Sequence, residues 1–382
     1  MMRHMPPGHI GGLFGLLYFL TLTPNLFAIS PAPTLGAEAF LLMDYASGRI
    51  LAKSNAAQRL APGSLTKMMV AYICFSEIQM GTIKLDDRIR VSSHARKTID
   101  PRMYLEVNAD VMVQDLLKGV ILQSANDASI VLAEKIAGSA ENFVKKMTEM
   151  AKKLQMQDTH FQNSTGAPDQ NHYASVQDLA ILSRALIYSF PNMYNEFHEK
   201  QFVYNNIEQY NANSLLWRDP TVDGIHVAQI DLSSFASVSS AQRGAMRLIG
   251  IVYGAKTMAQ RDQNSQVLLN YGFANFETHK LYMADQVLQE IRLWKGQVAK
   301  IRLGLHHDLY VTIDRGKHDL VNSQLRLKQP IIAPVKKGES LGQLSIVLGD
   351  KEIAHAEVFP MDDVAAAGWW RRTVDTFNLW FE

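Results

Sequence analysis

The chain has 382 residues, 38 basic against 37 acidic side chains and a formal net charge of +1. That length gives room for two domains, and that balance excludes the broad positive field through which a protein holds nucleic acid. A lone cysteine, Cys74, excludes a disulfide framework; set inside an apolar run, it reads as a small buried hydrophobe.

In chain order the first signal is Arg3, then an apolar run from Gly11 to Leu22, then Asn25-Leu26-Phe27-Ala28. This reads as a secretory signal over 1–28 with cleavage after Ala28, an uncleaved anchor being the alternative. Alternation from Ala39 to Met43 predicts a strand, and a first strand over Glu38 to Tyr45 should pair with late strands such as Leu248 to Gly254. Helical patterns cover 64–79, 112–122, 127–137, 140–154 and 175–188. Near residue 276 the pattern changes to short β segments, among them Val298 to Leu305, Leu309 to Ile313 and Gln343 to Leu348. Turns at Asp314-Arg315-Gly316 and Leu348-Gly349-Asp350 separate them. Over 362–382, Trp370, Val374, Phe377 and Phe381 recur at helical spacing, with Trp369 and Trp380 flanking them and Arg371, Arg372 and Asp375 opposite. Such an aromatic-rich helix suits a membrane interface, packing against the protein itself being the plainer alternative.

The chemistry is concentrated in Ala61-Pro62-Gly63-Ser64-Leu65-Thr66-Lys67-Met68-Met69, which holds the only Ser-x-x-Lys of the chain. Residues three apart on a helix share a face, so the Lys67 amine can lie beside the Ser64 hydroxyl and take its proton. Further on, Ser124-Ala125-Asn126 joins two helical stretches. Its hydroxyl can relay a proton and its amide can hold a carbonyl, although a cap on the next helix would look the same. His94, His160, His172, His198 and the pair His306-His307 lack metal-ligand spacing, and no cofactor is expected.

Several phrases together resemble the low-molecular-mass penicillin-binding proteins of the D-alanyl-D-alanine carboxypeptidase type. They are Pro62 to Met69, Leu122 to Ala128, Asp158-Thr159-His160-Phe161, Asn205 to Asn213, Leu215-Leu216-Trp217, Val222-Asp223-Gly224-Ile225 and Met246-Arg247-Leu248-Ile249. The resemblance runs in order from about residue 36 to the C-terminus. It implies an α/β transpeptidase/β-lactamase-like domain, an antiparallel sheet flanked by helices with a helical subdomain, over 36–276. A β-rich sandwich over 277–361 and an amphipathic membrane-anchoring helix over 362–382 would follow, with the body on the periplasmic face of the inner membrane. The implied reaction removes the terminal D-alanine from peptidoglycan pentapeptides through an acyl-enzyme, with β-lactams as covalent inhibitors. Ser64 would attack, Lys67 would act as base, Ser124 would relay protons and Asn126 would orient substrate. Backbone N–H groups of Ser64 and Gln229 would hold the oxyanion.

Two departures weaken this pattern. Family members carry Lys-Thr-Gly after Asp-Gly-Ile, where this chain has His226-Val227-Ala228, and an arginine where it has Ala212. Histidine is mostly uncharged at neutral pH, valine has no hydroxyl for a carboxylate, and alanine adds a methyl where glycine admits a close backbone. Arg247 is then the remaining candidate for the substrate carboxylate. Impaired turnover is the expectation, and a paralogue that only binds peptidoglycan or a cell-wall partner is the alternative. A β-lactamase is disfavoured, because no Glu-x-x-Leu-Asn motif is present to activate a deacylating water.

Overall fold

The computed structural model describes residues 31–380, so the secretory segment read over 1–28 lies outside the described residues. The sheet that carries the site is built from β1 (Ala39–Asp44), β2 (Ile50–Ser54), β3 (Val222–Asp231), β4 (Ser234–Arg243) and β5 (Met246–Ala255). Every pairing is antiparallel and the order is β2-β1-β5-β4-β3, so the first strand meets the last and β3 lies at an edge. All six residues of β1 are buried, because helices cover both faces of the sheet.

One face packs on α1 (Lys67–Gln79), α2 (Val113–Gln123), α3 (Asn126–Ala137), α4 (Ala140–Lys153) and α5 (Val176–Ser189). Ten of the thirteen residues of α1 are buried, as expected of a helix that is apolar on all sides. The other face packs on α6 (Met258–Asn275) through Leu268, Leu269 and Phe273. No apolar periodicity announces α6, since Arg261, Asp262, Asn264 and Ser265 share its buried side.

After Asn275 the architecture becomes all-β. It comprises β6 (Phe276–Tyr282), β7 (Gln289–Arg292), β8 (Lys300–Gly304), β9 (Leu309–Asp314), β10 (Val321–Leu327), β11 (Gly342–Leu348) and β12 (Lys351–Pro360). A five-stranded sheet of order β7-β8-β12-β11-β10 closes over the pair β6-β9 around its own apolar cluster. Hydroxyls fasten this unit to the first: Thr278 Oγ1 donates to Asp44 Oδ2 at 2.6 Å, and Ser47 Oγ lies 2.6 Å from Thr312 Oγ1. His306 and His307 sit in the bend between β8 and β9.

The last helix among the described residues is α7 (Trp369–Asn378). Its polar side faces the protein, with the Lys295 amide donating to Asp375 Oδ2 at 2.6 Å and Arg371 Nη1 to the Gln297 carbonyl at 3.2 Å. Trp369, Trp370, Phe377 and Trp380 are each more than 60 % exposed. Among the described residues no helix is long and apolar enough to cross a membrane.

Candidate active site

Ser64 lies in a 3-10 turn, Gly63–Thr66, that leads straight into α1. In a 3-10 turn residues i and i+3 eclipse, which brings Ser64 and Lys67 to one side. Gly63 has φ +52°, and a methyl there would meet Ile230 Cδ1 at 3.0 Å, so this turn lies flat on the end of β3. The Ser64 hydroxyl donates to the Val227 carbonyl of that strand at 3.1 Å.

Lys67 is 1 % exposed and sits at the centre of the arrangement. Its Nζ donates to Asn126 Oδ1 at 2.7 Å and to the Thr165 carbonyl at 2.5 Å. Burial lowers its pKa from the usual lysine range to about 7, against an opposing pull from Asp127. Two fixed acceptors match the two N–H bonds of a neutral amine and leave its lone pair for a hydroxyl proton. Asn126 is held in turn, its Nδ2 donating to the Ile99 carbonyl at 2.9 Å.

Ser124 ends α2 in the left-handed region, φ 55°, a turn that swings its hydroxyl off the helix. Its Oγ lies 2.8 Å from His226 Nε2. Burial lowers the His226 pKa to about 3 and the Lys67 charge adds to that, while backbone groups of Ile121 and Ser64 oppose it. The ring is therefore neutral, although it stands where relatives are expected to carry a fixed cation. Ala212 is exposed, and its amide donates to the Leu122 carbonyl at 3.1 Å, which places it beside the same helix end.

The structure brings Ser64, Lys67, Ser124, Asn126 and the 226–229 segment together, and it sets Arg247 apart from them. Strand residues alternate between faces, and His226 and Ala228 share the face toward α1 and α2, 3 % and 2 % exposed. The Ala228 methyl joins the apolar cluster beside the serine turn, 3.8 Å from where a methyl on Gly63 would stand. Val227 is 7 % exposed, and only Gln229 presents its side chain to solvent. Arg247 is set apart: its register partner is Gln242, whereas Val227 pairs Ser237, which pairs Val252. Five residues of strand separate Arg247 from that level, roughly 17 Å. There Arg247 forms an ion pair with Asp223 at 2.5 Å and donates to Ser240 Oγ and Gln242 Oε1, both at 2.7 Å. It braces the far end of β3 and does not reach the serine.

A loop the motifs did not single out completes the site. Asn163 Oδ1 accepts from the amides of Thr165, Gly166 and Ala167 and from the Thr165 hydroxyl, which fixes the carbonyl that holds Lys67. Ser129 Oγ donates to the Ser164 carbonyl at 2.7 Å, and His172 Nε2 lies 2.9 Å from Thr66 Oγ1. Burial lowers the His172 pKa to about 4, so this tie is also a neutral one.

A family model described as D-alanyl-D-alanine carboxypeptidase matches residues 27–257, and one described as the C-terminal domain of penicillin-binding protein 5 matches 276–366. The chain is 37 % identical to D-alanyl-D-alanine carboxypeptidase DacC of Escherichia coli K12, over 96 % of each chain. It is also 37 % identical to DacA of Haemophilus influenzae, over 90 % of this chain and 88 % of that one. The crystal structure of penicillin-binding protein 5 from Haemophilus influenzae superposes with a TM-score of 0.84 at 36 % identity, covering 88 % of this chain and all of that one.

Proposed function

This chain belongs to the D-alanyl-D-alanine carboxypeptidase family, and from that premise we propose that Ser64, Lys67, Ser124 and Asn126 carry out acyl transfer on peptidoglycan pentapeptides with impaired turnover. The observation that carries this reading is the buried Lys67 amine, clamped by Asn126 Oδ1 and the Thr165 carbonyl three residues from the serine. Rotation of the Ser64 hydroxyl away from Val227 presents its proton to Lys67 Nζ, and the freed oxygen attacks the carbonyl of the penultimate D-alanine. The Ser64 and Gln229 amides hold the negative oxygen. Lys67, now an ammonium, passes its proton through Ser124 to the leaving D-alanine nitrogen, and water later releases the acyl group. The second N–H of Asn126 Nδ2 remains to hold the substrate.

The weakness lies in carboxylate recognition. Arg247 is committed to Asp223, Val227 lacks a hydroxyl and Ala212 lacks a guanidinium. A hydrogen bond to a charged group contributes roughly 1.5–3 kcal/mol, or about ten- to a hundredfold in rate. The native protein should therefore be labelled covalently but slowly by penicillin and should trim pentapeptide poorly. The double variant Ala212→Arg, Val227→Thr is expected to trim at least tenfold faster. Native trimming already at the double variant's rate would end the claim of impairment, and no labelling after long exposure would favour the role of a pure binder.

Residues 362–382 act here as a peripheral anchor that holds the body against the periplasmic face of the inner membrane. The support is the outward array of Trp369, Trp370, Phe377 and Trp380, with Arg371 and Asp375 turned to the protein. Protein truncated after Pro360 should stay in the supernatant when spun with anionic lipid vesicles, while the full chain co-sediments. Equal partition of the two would remove the anchor.

A further inference from the structure

His226 is the group in the site that the reaction above leaves without a task. Its ring lies buried beside the end of α2, 3 % exposed, as buried as the reacting groups around it. What it does touch is the Ser124 hydroxyl, through Nε2 at 2.8 Å. A serine hydroxyl rotates freely unless a partner fixes it, and a proton relay works only when that rotor is held in line. The charged groups that face the ring are few: Lys67 from α1 acts on it directly, and Asp127 from α3 acts on Lys67.

Resting on the reaction proposed above, we propose that His226 is the positioning residue of Ser124, its ring fixing the relay hydroxyl through the Nε2 contact. Either ring tautomer makes this bond, since a serine hydroxyl both donates and accepts. His226 itself gains and loses no proton in the cycle: the proton moves from Ser64 to Lys67, then through Ser124 to the leaving amine. The consequence concerns charge. A lysine at 226 would also bond Ser124, but it would set a second ammonium near Lys67 and press the Lys67 proton off at lower pH. The neutral ring keeps the relay in place without that effect.

The experiment compares penicillin acylation against pH for the native chain, His226→Leu, His226→Gln and His226→Lys, each first shown by circular dichroism and melting to be folded. Loss of the bond to Ser124 should make His226→Leu about ten- to a hundredfold slower at every pH. Glutamine reaches the same hydroxyl without charge, so His226→Gln should recover most of that loss with an unmoved midpoint. His226→Lys should move the midpoint to lower pH. Native speed in His226→Leu, or an unmoved midpoint in His226→Lys, overturns the proposal. Titration of the Lys67 side chain by carbon-13 NMR in the native chain and His226→Lys gives the same midpoint without turnover. An unmoved Lys67 midpoint in His226→Lys there overturns the charge argument even if penicillin labels no form of the protein and the proposed reaction fails.

Discussion

Acylation of Ser64 is expected to rise with pH to a plateau with its midpoint near 7, and to fall about tenfold for each unit well below it. The reacting species is the neutral Lys67 amine, and burial has brought its pKa down from the usual 10.5 to about 7. Below that value the amine is an ammonium and has no lone pair for the serine proton. Removing the base, as in Lys67→Met, should cut the rate about 10²–10⁴-fold and abolish the pH dependence. Stopped-flow acylation by a chromogenic β-lactam between pH 5 and pH 9 measures both. A flat native profile over that range would mean that Lys67 is not the base.

The same burial carries a stability cost with a definite sign. The folded pKa lies below the unfolded one, so between about 7 and 10.5 the unfolded chain binds the extra proton and stability rises with pH. Below about 7 both states are protonated and the penalty for burying the ammonium is complete. Lys67→Met should therefore melt higher than the native protein at pH 6, by a margin that shrinks toward pH 10. The part of the gain that fails to appear measures what Asn126 Oδ1 and the Thr165 carbonyl lose when their shared donor goes.

The elements that could be read in the sequence are those whose apolar residues form an unbroken run or an intact period. The helix after Ser64, the pair flanking Ser124 and the pairing of the first strand with the late ones all follow from burial on one or two faces. Helix α6 could not be read, because Arg261, Asp262 and Ser265 lie on its buried side, Arg261 paired with Asp262 next to it and Ser265 with Ser237 on β4. The site divides in the same way. Ser64, Lys67, Ser124 and Asn126 announce themselves by residue type and spacing. The face that His226 and Ala228 share depends on how the edge strand docks against α1 and α2, which no single segment specifies. Arg247 carries the charge a carboxylate needs, but only the strand register shows that it sits beside Asp223. The Thr165 carbonyl is a backbone group, and a backbone group has no letter in the sequence.

That last class of contact is what makes Gly166 the most sensitive position outside the reacting groups. Gly166 has φ +85°, and a methyl on it would stand 1.9 Å from the Gly63 carbonyl oxygen and 2.9 Å from the Ser64 amide nitrogen. Those neighbours are backbone, so neither can rotate aside. Gly166→Ala must push either the 163–167 loop or the serine turn out of place. In the first case the Thr165 carbonyl leaves Lys67; in the second the Ser64 amide leaves the oxyanion, a loss of about 10²–10³ in rate for one such donor. Acylation should fall by at least a hundredfold, with a loss of about 2–4 kcal/mol in stability. The control is Gly138→Ala at the C-terminal end of α3, where φ is +76° but no atom lies within 4 Å of the added carbon. Left-handed strain alone costs about 1–2 kcal/mol, so this variant should lose stability and acylate at the native rate. Equal acylation by the two variants would show that Gly166 matters only for its backbone angle, and that the contact with the serine turn contributes nothing to catalysis.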